Sequence, residues 1–259
     1  MNRVWSSTRW KFATHIAARH ALLSLIIAVL AALLVFKGWY AAPFGEMLGV
    51  STLVAVLIAV DVVCGPLLNF YLSNPTKTRR ALLVDWTAVG VIQLGALVYG
   101  MHALWEARPV MVVFENDRLV VVTAVEIDEA EFSRALPEFQ TLPSTGVQMA
   151  AVRQPKDADE RLQSLEFSLQ GVEPSARPSW WIPYSQAENA IRYRAKPLLE
   201  LAARGTLTAE VLARKLDGIN INKSDLLYLP ITSKMTKDWI AILDSKTLQP
   251  IEYVAVDGF

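Results

Sequence analysis

Two long apolar segments of this chain carry side chains that can ionise or hydrogen-bond. Residues 49–72 hold Asp61 near the middle, and residues 81–105 hold Gln93 near the middle. Each segment is long enough, at about 1.5 Å per residue, to cross a hydrocarbon layer about 30 Å thick. An ionisable group in mid-membrane costs about 2.5 to 3.5 kcal/mol on insertion scales, so it normally faces protein or water and marks a function. Asp61 is therefore the first candidate functional residue.

Asp61 and Gln93 are predicted to lie at the same depth. Asp61 lies 11 residues before the end of its segment, and Gln93 lies 12 residues after the start of the next one. A hydrogen bond between the two side chains is therefore geometrically feasible. Asp85 lies only about four residues inside its segment and is expected to reach the interface or the basic pair Arg79 and Arg80.

Small residues accompany both polar groups, as a close contact between helices in lipid requires. Gln93 shares one helical face with Ala96, Gly100 and Ala103. Asp61 shares a face with Gly65, where Pro66 should kink or loosen the helix. Three interpretations of Asp61 remain open: a structural clasp between two spans, a contact for a transient transmembrane partner, and a proton or ion pathway.

The composition divides the chain into two parts. Hydrophobic residues make up 53% of the chain and charged residues 19%, with a mean hydropathy of +0.30, but the apolar excess is concentrated near the N-terminus. Beyond Arg108 no stretch approaches 18 apolar residues. The sequence therefore predicts a membrane domain at residues 1–105, a water-soluble domain at 106–259, and spans at about 16–36, 49–72 and 81–105.

Basic residues predict the orientation of the spans. Residues 1–19 contain four Lys or Arg and residues 73–80 contain three, whereas the loop 37–47 contains one Lys and one Glu. Loops rich in Lys and Arg stay in the cytoplasm, so the N-terminus and the second loop are predicted to be cytoplasmic. The domain after the third span then lies on the other side, which in a bacterium is the periplasm. A cleaved signal peptide is the competing interpretation of the first span, because Ala41-Ala42 resembles a cleavage site.

The water-soluble part predicts strands and helices in mixed order. Four apolar runs predict strands, the first two joined as a hairpin: 110–114, 118–126, 239–243 and 248–256. Four helices are predicted, with Asp128 as the first N-cap: 128–136, 157–169, 184–204 and 208–216. Residues 141–155 are interpreted as a loop. The order of hairpin, helices and hairpin favours an α+β domain.

No enzyme signature is found. The three His residues lie within the first 105 residues, so a Ser-His pair or a His metal site is excluded from the soluble part. The lone cysteine, Cys64, cannot form an intramolecular disulfide or a metal cluster. No Gly-rich phosphate loop occurs, and no basic patch with interleaved aromatics suggests nucleic-acid binding. We therefore predict no catalytic residue, no metal and no cofactor.

An aromatic cluster, Trp180, Trp181 and Tyr184, lies in the segment ARPSWWIPY. Large aromatic side chains dominate both protein cores and binding surfaces. The cluster is therefore interpreted as core, with a binding surface as the alternative.

Several motifs together resemble one known family. They are RWKFATHI at 9–16, DVVCGPLLN at 61–69, QLGALVYG at 93–100, ARPVMVVFENDR at 107–118 and RPSWWIPY at 177–184. Their order and spacing are similar to those of the TfpX/TfpZ-type type IV pilin accessory proteins over nearly the whole chain. The family pattern matches, without assigning roles, Asp61, Gly65, Pro66, Gln93, Tyr99, Gly100, Arg108 and Pro109. Cys64 departs from it, since a plain apolar residue is expected there.

The resemblance implies a multi-pass inner-membrane protein, encoded with a type IV pilin, that is needed for pilus assembly or modulates it. Such proteins are not known as enzymes. The expected partners are the major pilin, the pilus assembly machinery and the lipid bilayer. The predicted pilin contacts are, in the membrane, Asp61, Gly65, Pro66, Gln93, Ala96 and Gly100, and, more weakly in the periplasm, Arg108, Trp180, Trp181 and Tyr184.

Two other functions remain as alternatives. One is a membrane-anchored periplasmic sensor or ligand-binding subunit, which a tight apolar pocket around the aromatic cluster would favour. The other is a small ion-coupled transporter subunit that uses Asp61.

Overall fold

The computed structural model describes residues 7–205, 210, 214–216 and 225–259. Its contacts divide the chain into two compact units. The first unit holds the residues up to Gly45 together with Gly49–Glu106, and the second holds Glu46–Leu48 together with Ala107–Phe259.

Long apolar helices build the first unit. Helix α1, Ser7–Leu33, continues as a π-helical segment, Leu34–Trp39, and a one-turn helix, Phe44–Met47, follows. Helices α2, Val50–Leu72, and α3, Arg79–Glu106, complete the unit. Within the described ranges, the helices that are long and apolar enough to cross a membrane are these three. The three apolar helices predicted from hydropathy are therefore confirmed, and the first begins earlier than predicted.

Helix α2 packs against both α1 and α3. The buried positions of α1 are small, Ala13, Ser24 and Ala28, which allows the two helices to approach closely. Large apolar side chains instead point outward, as Leu30 and Ile92 do with 61% and 67% exposure. This inverts the arrangement of a water-soluble bundle and is what a helix surrounded by lipid requires.

Helix α2 runs through Pro66 without interruption. A proline inside a helix removes one backbone hydrogen bond, which in a membrane must be offset by neighbouring groups. Helix α2 is therefore unbroken at Pro66, and the predicted kink or loosening stays a prediction; a side chain from α3 contacts a backbone carbonyl of α2 within the preceding turns, as described below.

The second unit is a mixed sheet with short helices, in agreement with the predicted α+β character. The strands run in the order β4-β3-β1-β2-β6-β7-β8, with β5 paired to β6. Their bounds are β1 Pro109–Glu115, β2 Arg118–Thr123, β3 Gln148–Val152, β4 Trp181–Pro183, β5 Lys196–Pro197, β6 Leu226–Thr232, β7 Trp239–Asp244 and β8 Pro250–Val254.

Two hairpins of the sheet confirm predictions. Strands β1 and β2 pair antiparallel around Asn116, whose φ of 58° suits the tight turn. Strands β7 and β8 pair antiparallel as well. The pairs β1–β3 and β2–β6 are parallel, and β1, which has a neighbour on each side, is buried along nearly its whole length.

The described residues of this unit include the helices α4, Ala158–Leu169; α5, Glu188–Arg194; and α6, Leu198–Ala203. Helix α4 is confirmed, with Asp157 as its N-cap accepting from the Glu160 amide at 2.7 Å. The short helix predicted at 128–136 is a 3-10 helix, Glu129–Arg134, and Asp128 is its N-cap as predicted.

Two predictions for this unit are wrong. The single helix at 184–204 is divided, because Pro197 disfavours helical backbone at the preceding residue and Lys196–Pro197 pair with β6 instead. The loop at 141–155 contains strand β3, which pairs with β1. The helix predicted at 208–216 lies largely outside the described residues.

Candidate functional site

Asp61 and Gln93 are hydrogen-bonded between α2 and α3. Gln93 Nε2 donates to the Asp61 backbone oxygen at 2.7 Å and to its carboxylate Oδ1 at 3.3 Å. Asp61 is only 8% exposed. The predicted hydrogen bond is therefore present, with the backbone carbonyl as its closer acceptor.

His20 and Asn69 extend this contact across the bundle. His20 Nε2 lies 2.5 Å from Gln93 Oε1, and Asn69 Nδ2 lies 2.5 Å from His20 Nδ1. Hydrogen bonds therefore connect Asn69 to His20, His20 to Gln93 and Gln93 to Asp61. We call these four residues the polar chain.

Sequence reasoning missed His20 and Asn69. Asn69 lies two helical turns after Asp61 on the same face of α2, and this spacing was the available signal. His20 gave no comparable signal, because its role depends on which face of α1 meets the other two helices. The polar chain therefore links α1, α2 and α3, whereas the sequence predicted a contact between α2 and α3 alone.

Two glycines make room for the neighbouring helix. A Cβ at Gly65 would collide with the Gln93 side chain. A Cβ at Gly100 would lie 2.6 Å from Leu57 Cδ1. By contrast, a Cβ at Gly95 would meet no atom within 4 Å. Gly65 and Gly100 therefore allow α3 to approach α2 closely. The Gln93 side chain fills the space that a side chain at Gly65 would occupy.

Two further residues predicted to contact the pilin in the membrane differ in their exposure. Pro66 is half-buried on α2, and Ala96 is exposed on α3 beside Gln93. Asp61 borders a narrow cavity of about 10 Å³, which is room for one water molecule. A single copy therefore encloses no wide aqueous path at this level of the described bundle.

Asp85 pairs with a residue other than those expected. Lys77 Nζ lies 2.6 Å from Asp85 Oδ2 and also donates to the Leu72 backbone oxygen at 2.9 Å. Nearby, Trp86 Nε1 donates to Ser73 Oγ at 3.1 Å. The predicted pairing with Arg79 or Arg80 is thus replaced by Lys77 in the connecting loop.

The aromatic cluster lies in the core of the sheet unit. Trp180, Trp181 and Tyr184 are 3%, 1% and 6% exposed. Trp181 Nε1 donates to the Ser175 backbone oxygen at 2.8 Å, and Tyr184 Oη donates to that of Leu248 at 3.0 Å. Burial raises the pKa of the Tyr184 hydroxyl. The rings therefore occupy core positions, and a role for them in binding a partner stays a prediction.

Arg108 is also buried, with 6% of its surface exposed. Its Nη2 donates to the Pro143 backbone oxygen at 3.4 Å, and its own backbone oxygen accepts from Ala124. It therefore fixes the start of β1 against its own domain.

A buried ionic cluster was not predicted from the sequence. Glu131 is 6% exposed and accepts from Arg134 Nη2 at 2.8 Å, from Arg177 Nη2 at 3.3 Å and from the Ser179 hydroxyl. The Arg177 guanidinium also lies 4.4 Å from the ring centre of Phe167. These contacts join the 3-10 helix Glu129–Arg134 to residues 177–179, and Arg177 connects them to α4. We call this group the Glu131 cluster.

Two carboxylates of the sheet unit have shifted pKa values. Burial raises the pKa of Glu115, although its hydrogen bond to Ser175 acts in the opposite direction. Hydrogen bonds from Arg153 lower the pKa of Glu160 to about 2. No group of three or more His, Cys, Asp or Glu side chains that could hold a metal ion occurs within the described ranges.

A cleft of about 650 Å³ lies beside α4. Its lining includes Leu162 and Leu165 of α4, Trp180 and the ends of β1 and β3. A tight apolar pocket around all three aromatic rings would favour a ligand-binding sensor, whereas Trp180 alone among them lines this cleft.

Known proteins resemble this chain over most of its length. Residues 8–49 match the family model described as fimbrial assembly protein FimB. The chain is 38% identical over 255 residues to the serogroup I fimbrial assembly protein of Dichelobacter nodosus, covering 97% of this chain and 98% of that protein. It is 36% identical over 252 residues to the serogroup E1 protein of that organism, with the same coverage.

A third relative covers part of the chain. The fimbrial assembly protein of Dichelobacter nodosus serogroups C1 and C2 is 42% identical over 119 residues, covering 46% of this chain and 91% of that protein. No solved structure matches the chain. Because the identity to the first two relatives extends over nearly all of both chains, this protein belongs to the fimbrial assembly protein family, a family of type IV pilin accessory proteins.

Proposed function

We propose that this protein is an inner-membrane accessory protein that binds its cognate type IV pilin and promotes or modulates pilus assembly. The observation that carries the proposal is the near full-length identity to relatives named fimbrial assembly proteins. The three apolar helices and the sheet unit are the parts with which this role is performed.

The helices α1, α2 and α3 cross the membrane in this proposal. Aromatic pairs at both ends of the bundle support this proposal. The ring centres of Trp10 and Phe70 lie 5.2 Å apart, and those of Trp39 and Trp105 also lie 5.2 Å apart. Aromatic rings favour the two membrane–water interfaces. The basic residues of the N-terminus and of the loop at 73–80 support a cytoplasmic position for the first of these ends, and the sheet unit is proposed to lie in the periplasm.

The membrane contact with the pilin is proposed at α3. Its outer surface is apolar over several turns, with Val91, Ile92 and Val98 each at least 60% exposed. Ala96 lies on this surface next to Gln93. Asp61, Gly65, Pro66 and Gly100 then act by holding α3 in position, and Gln93 joins the polar chain to the contact surface.

The periplasmic contact is proposed on the sheet unit, which would read the globular part of the pilin. Arg108, Trp180, Trp181 and Tyr184 support that surface from beneath. Two linked contacts raise the effective concentration of each other, so each alone can be weak and readily released to the assembly machinery. Binding by two weak contacts suits an accessory protein that must hand its partner on.

The first experiment is site-specific photo-crosslinking in wild-type cells, followed by mass spectrometry of the products. A photoreactive residue at Ala96 is expected to capture the major pilin, whereas one at Leu22, which is 61% exposed on α1, serves as the matched control. Pilin captured equally at both positions would contradict a specific surface on α3. Absence of pilin in every product, including a pull-down of the whole protein, would contradict the proposed function.

Substitutions at Asp61 separate a structural role from a role in partner binding. Asp61→Asn keeps an acceptor for Gln93, whereas Asp61→Ala removes the side-chain acceptor. If Asp61 acts by holding α3, piliation is expected to survive Asp61→Asn and to fall with Asp61→Ala. Normal piliation with Asp61→Ala, at a normal protein level, would remove Asp61 from the proposal.

A further inference from the structure

Helix α4 carries an exposed apolar stripe at heptad spacing. Separations of 4, 3 and 4 residues connect its members, which are Ala158, Leu162, Leu165 and Leu169. The three leucines are 59%, 57% and 82% exposed. Alternating steps of three and four residues place side chains along one seam of a helix, the pattern by which two helices pack side by side.

The opposite face of α4 attaches the helix to its own domain. Glu160 forms two hydrogen bonds with the Arg153 guanidinium, at 2.7 and 2.8 Å, and Phe167 lies against Arg177. Ser164, between these two positions, is the one buried side chain of this fully described helix. Glu160, Ser164 and Phe167 follow one another at spacings of 4 and 3, so they form the inner face, and the leucines point away from it.

Nothing in the described part of the chain covers the leucine stripe. Leu162 and Leu165 border the open cleft of about 650 Å³, and Leu169 is among the most exposed leucines of the described residues. An apolar seam left open on a water-soluble domain marks an interaction surface. Its heptad spacing indicates a helix as the occupant.

The charged residues beside the stripe indicate which kind of helix can pack against it. Arg161 and Glu166 flank the seam on opposite sides, and neither forms an ion pair within the described residues. In a parallel pair of identical helices, a residue at the Arg161 position lies beside the residue five positions later on the other helix. That residue is Glu166, so a parallel pair brings opposite charges together on both sides of the seam.

An antiparallel pair has the opposite charge pattern. It brings Asp159 of one helix near Glu166 of the other, which are like charges, and leaves Arg161 near the neutral Ser168. We propose that α4 pairs in parallel with α4 of a second copy of this chain, through the leucine stripe and reciprocal Arg161–Glu166 ion pairs.

The expected association is reversible. The stripe extends over less than two heptads, whereas a stable isolated coiled coil needs about three or four. If both copies are anchored in one membrane, confinement raises their effective concentration, and the short seam then suffices for a dynamic dimer.

Disulfide trapping of the full-length protein in native membranes tests the pairing. In a Cys64→Ser background, Leu165→Cys places a thiol at the symmetry axis of the proposed pair, and mild oxidation is expected to yield a covalent dimer. Gln163→Cys, exposed on the flank of the same helix, is the matched control. Equal dimer yields from the two variants, or no dimer from Leu165→Cys, would overturn the proposal.

Charge exchange distinguishes a second copy from any other partner. R161E and E166R alone are each expected to reduce the Leu165→Cys dimer about three- to tenfold, because each places like charges beside the seam. The double variant R161E/E166R restores the attraction and is expected to recover the yield. Failure of the double variant to recover, with normal helical content and membrane level, would overturn the parallel homodimer. A heterologous adduct at Leu165→Cys in place of the dimer would do the same.

Discussion

The two units of this protein bury polar groups in different ways. In the helical unit, the polar chain joins three helices through two amides, one imidazole and one carboxylate. In the sheet unit, the Glu131 cluster buries a full ion pair between Glu131 and Arg177. The first arrangement relies on hydrogen bonds with one ionisable acceptor at the end, and the second relies on opposite charges.

This difference predicts how each unit responds to loss of one member. A polar side chain in a membrane helix finds other partners when one is removed, so interhelical hydrogen bonds average about 0.6 kcal/mol. A charge buried in a water-soluble core finds no replacement partner in the same way, so removing its partner leaves an uncompensated charge. The sheet unit should therefore be the more sensitive of the two to a single substitution.

The largest effect is expected from Arg177→Ala. The substitution removes the buried cation of Glu131 and leaves it with the exposed Arg134, so the free energy of unfolding should fall by about 3 kcal/mol, the lower end of the range for a broken buried pair. Thermal unfolding followed by near-ultraviolet circular dichroism measures it. The matched control is Arg192→Ala, whose exposed i,i+4 pair with Glu188 contributes about 0.3–0.5 kcal/mol.

A double variant sharpens this prediction. Glu131→Gln combined with Arg177→Met removes both charges while keeping similar volume, and should recover most of the stability lost in Arg177→Ala. Equal destabilisation by Arg177→Ala and Arg192→Ala would show that the buried charge is not the source of the effect.

The next largest effect is expected from Gly65→Ala in the helical unit. The added methyl group collides with the Gln93 side chain, so that side chain or the whole of α3 must move. The free energy of unfolding should fall by about 1–3 kcal/mol. Unfolding of the purified protein in mixed detergent micelles measures the loss. Gly95→Ala, where the methyl group meets open space, should be neutral, and a similar loss there would point to backbone effects.

A smaller effect is expected within the polar chain. Gln93→Leu and His20→Leu each remove one link, and a double-mutant cycle between them should give a coupling of about 0.6 kcal/mol, and at most about 1.7. The same detergent assay measures the coupling. Tyr99→Phe, on the exposed side of α3, is the control. A coupling near zero would mean that the 2.5 Å contact between His20 and Gln93 contributes no stability.

The sequence predicted correctly those helices and turns that depend on residues close together in the chain. Hydropathy located the three long helices, Asp157 marked the start of α4, and the turn at Asn116 marked the first hairpin. Strand β3 was not predicted because Gln148–Val152 is short and because it is stabilised by parallel pairing with β1, which is distant in sequence. Residue order also does not reveal which face of α1 meets its neighbours, so His20 could not be placed.

The same distinction applies to the candidate site. Asp61 and Gln93 were paired correctly because depth follows directly from counting residues along two helices. The Glu131 cluster was missed because its members come from separate short segments that only the folded chain brings together.

The smallest expected effect concerns Glu160, which anchors α4 through Arg153 at the surface of the sheet unit. Because hydrogen bonds from Arg153 lower its pKa from 4.5 to about 2, the ionised form stabilises the folded state. That contribution is complete above about pH 4.5 and is lost as the pH falls toward 2. Glu160→Gln should therefore lower stability slightly at pH 7, by less than about 1 kcal/mol, and reduce the loss between pH 4.5 and 2. Acid titration of both proteins by circular dichroism measures the difference, and parallel titration curves would show that the Arg153–Glu160 contact, unlike the Glu131 cluster, does not couple charge to folding.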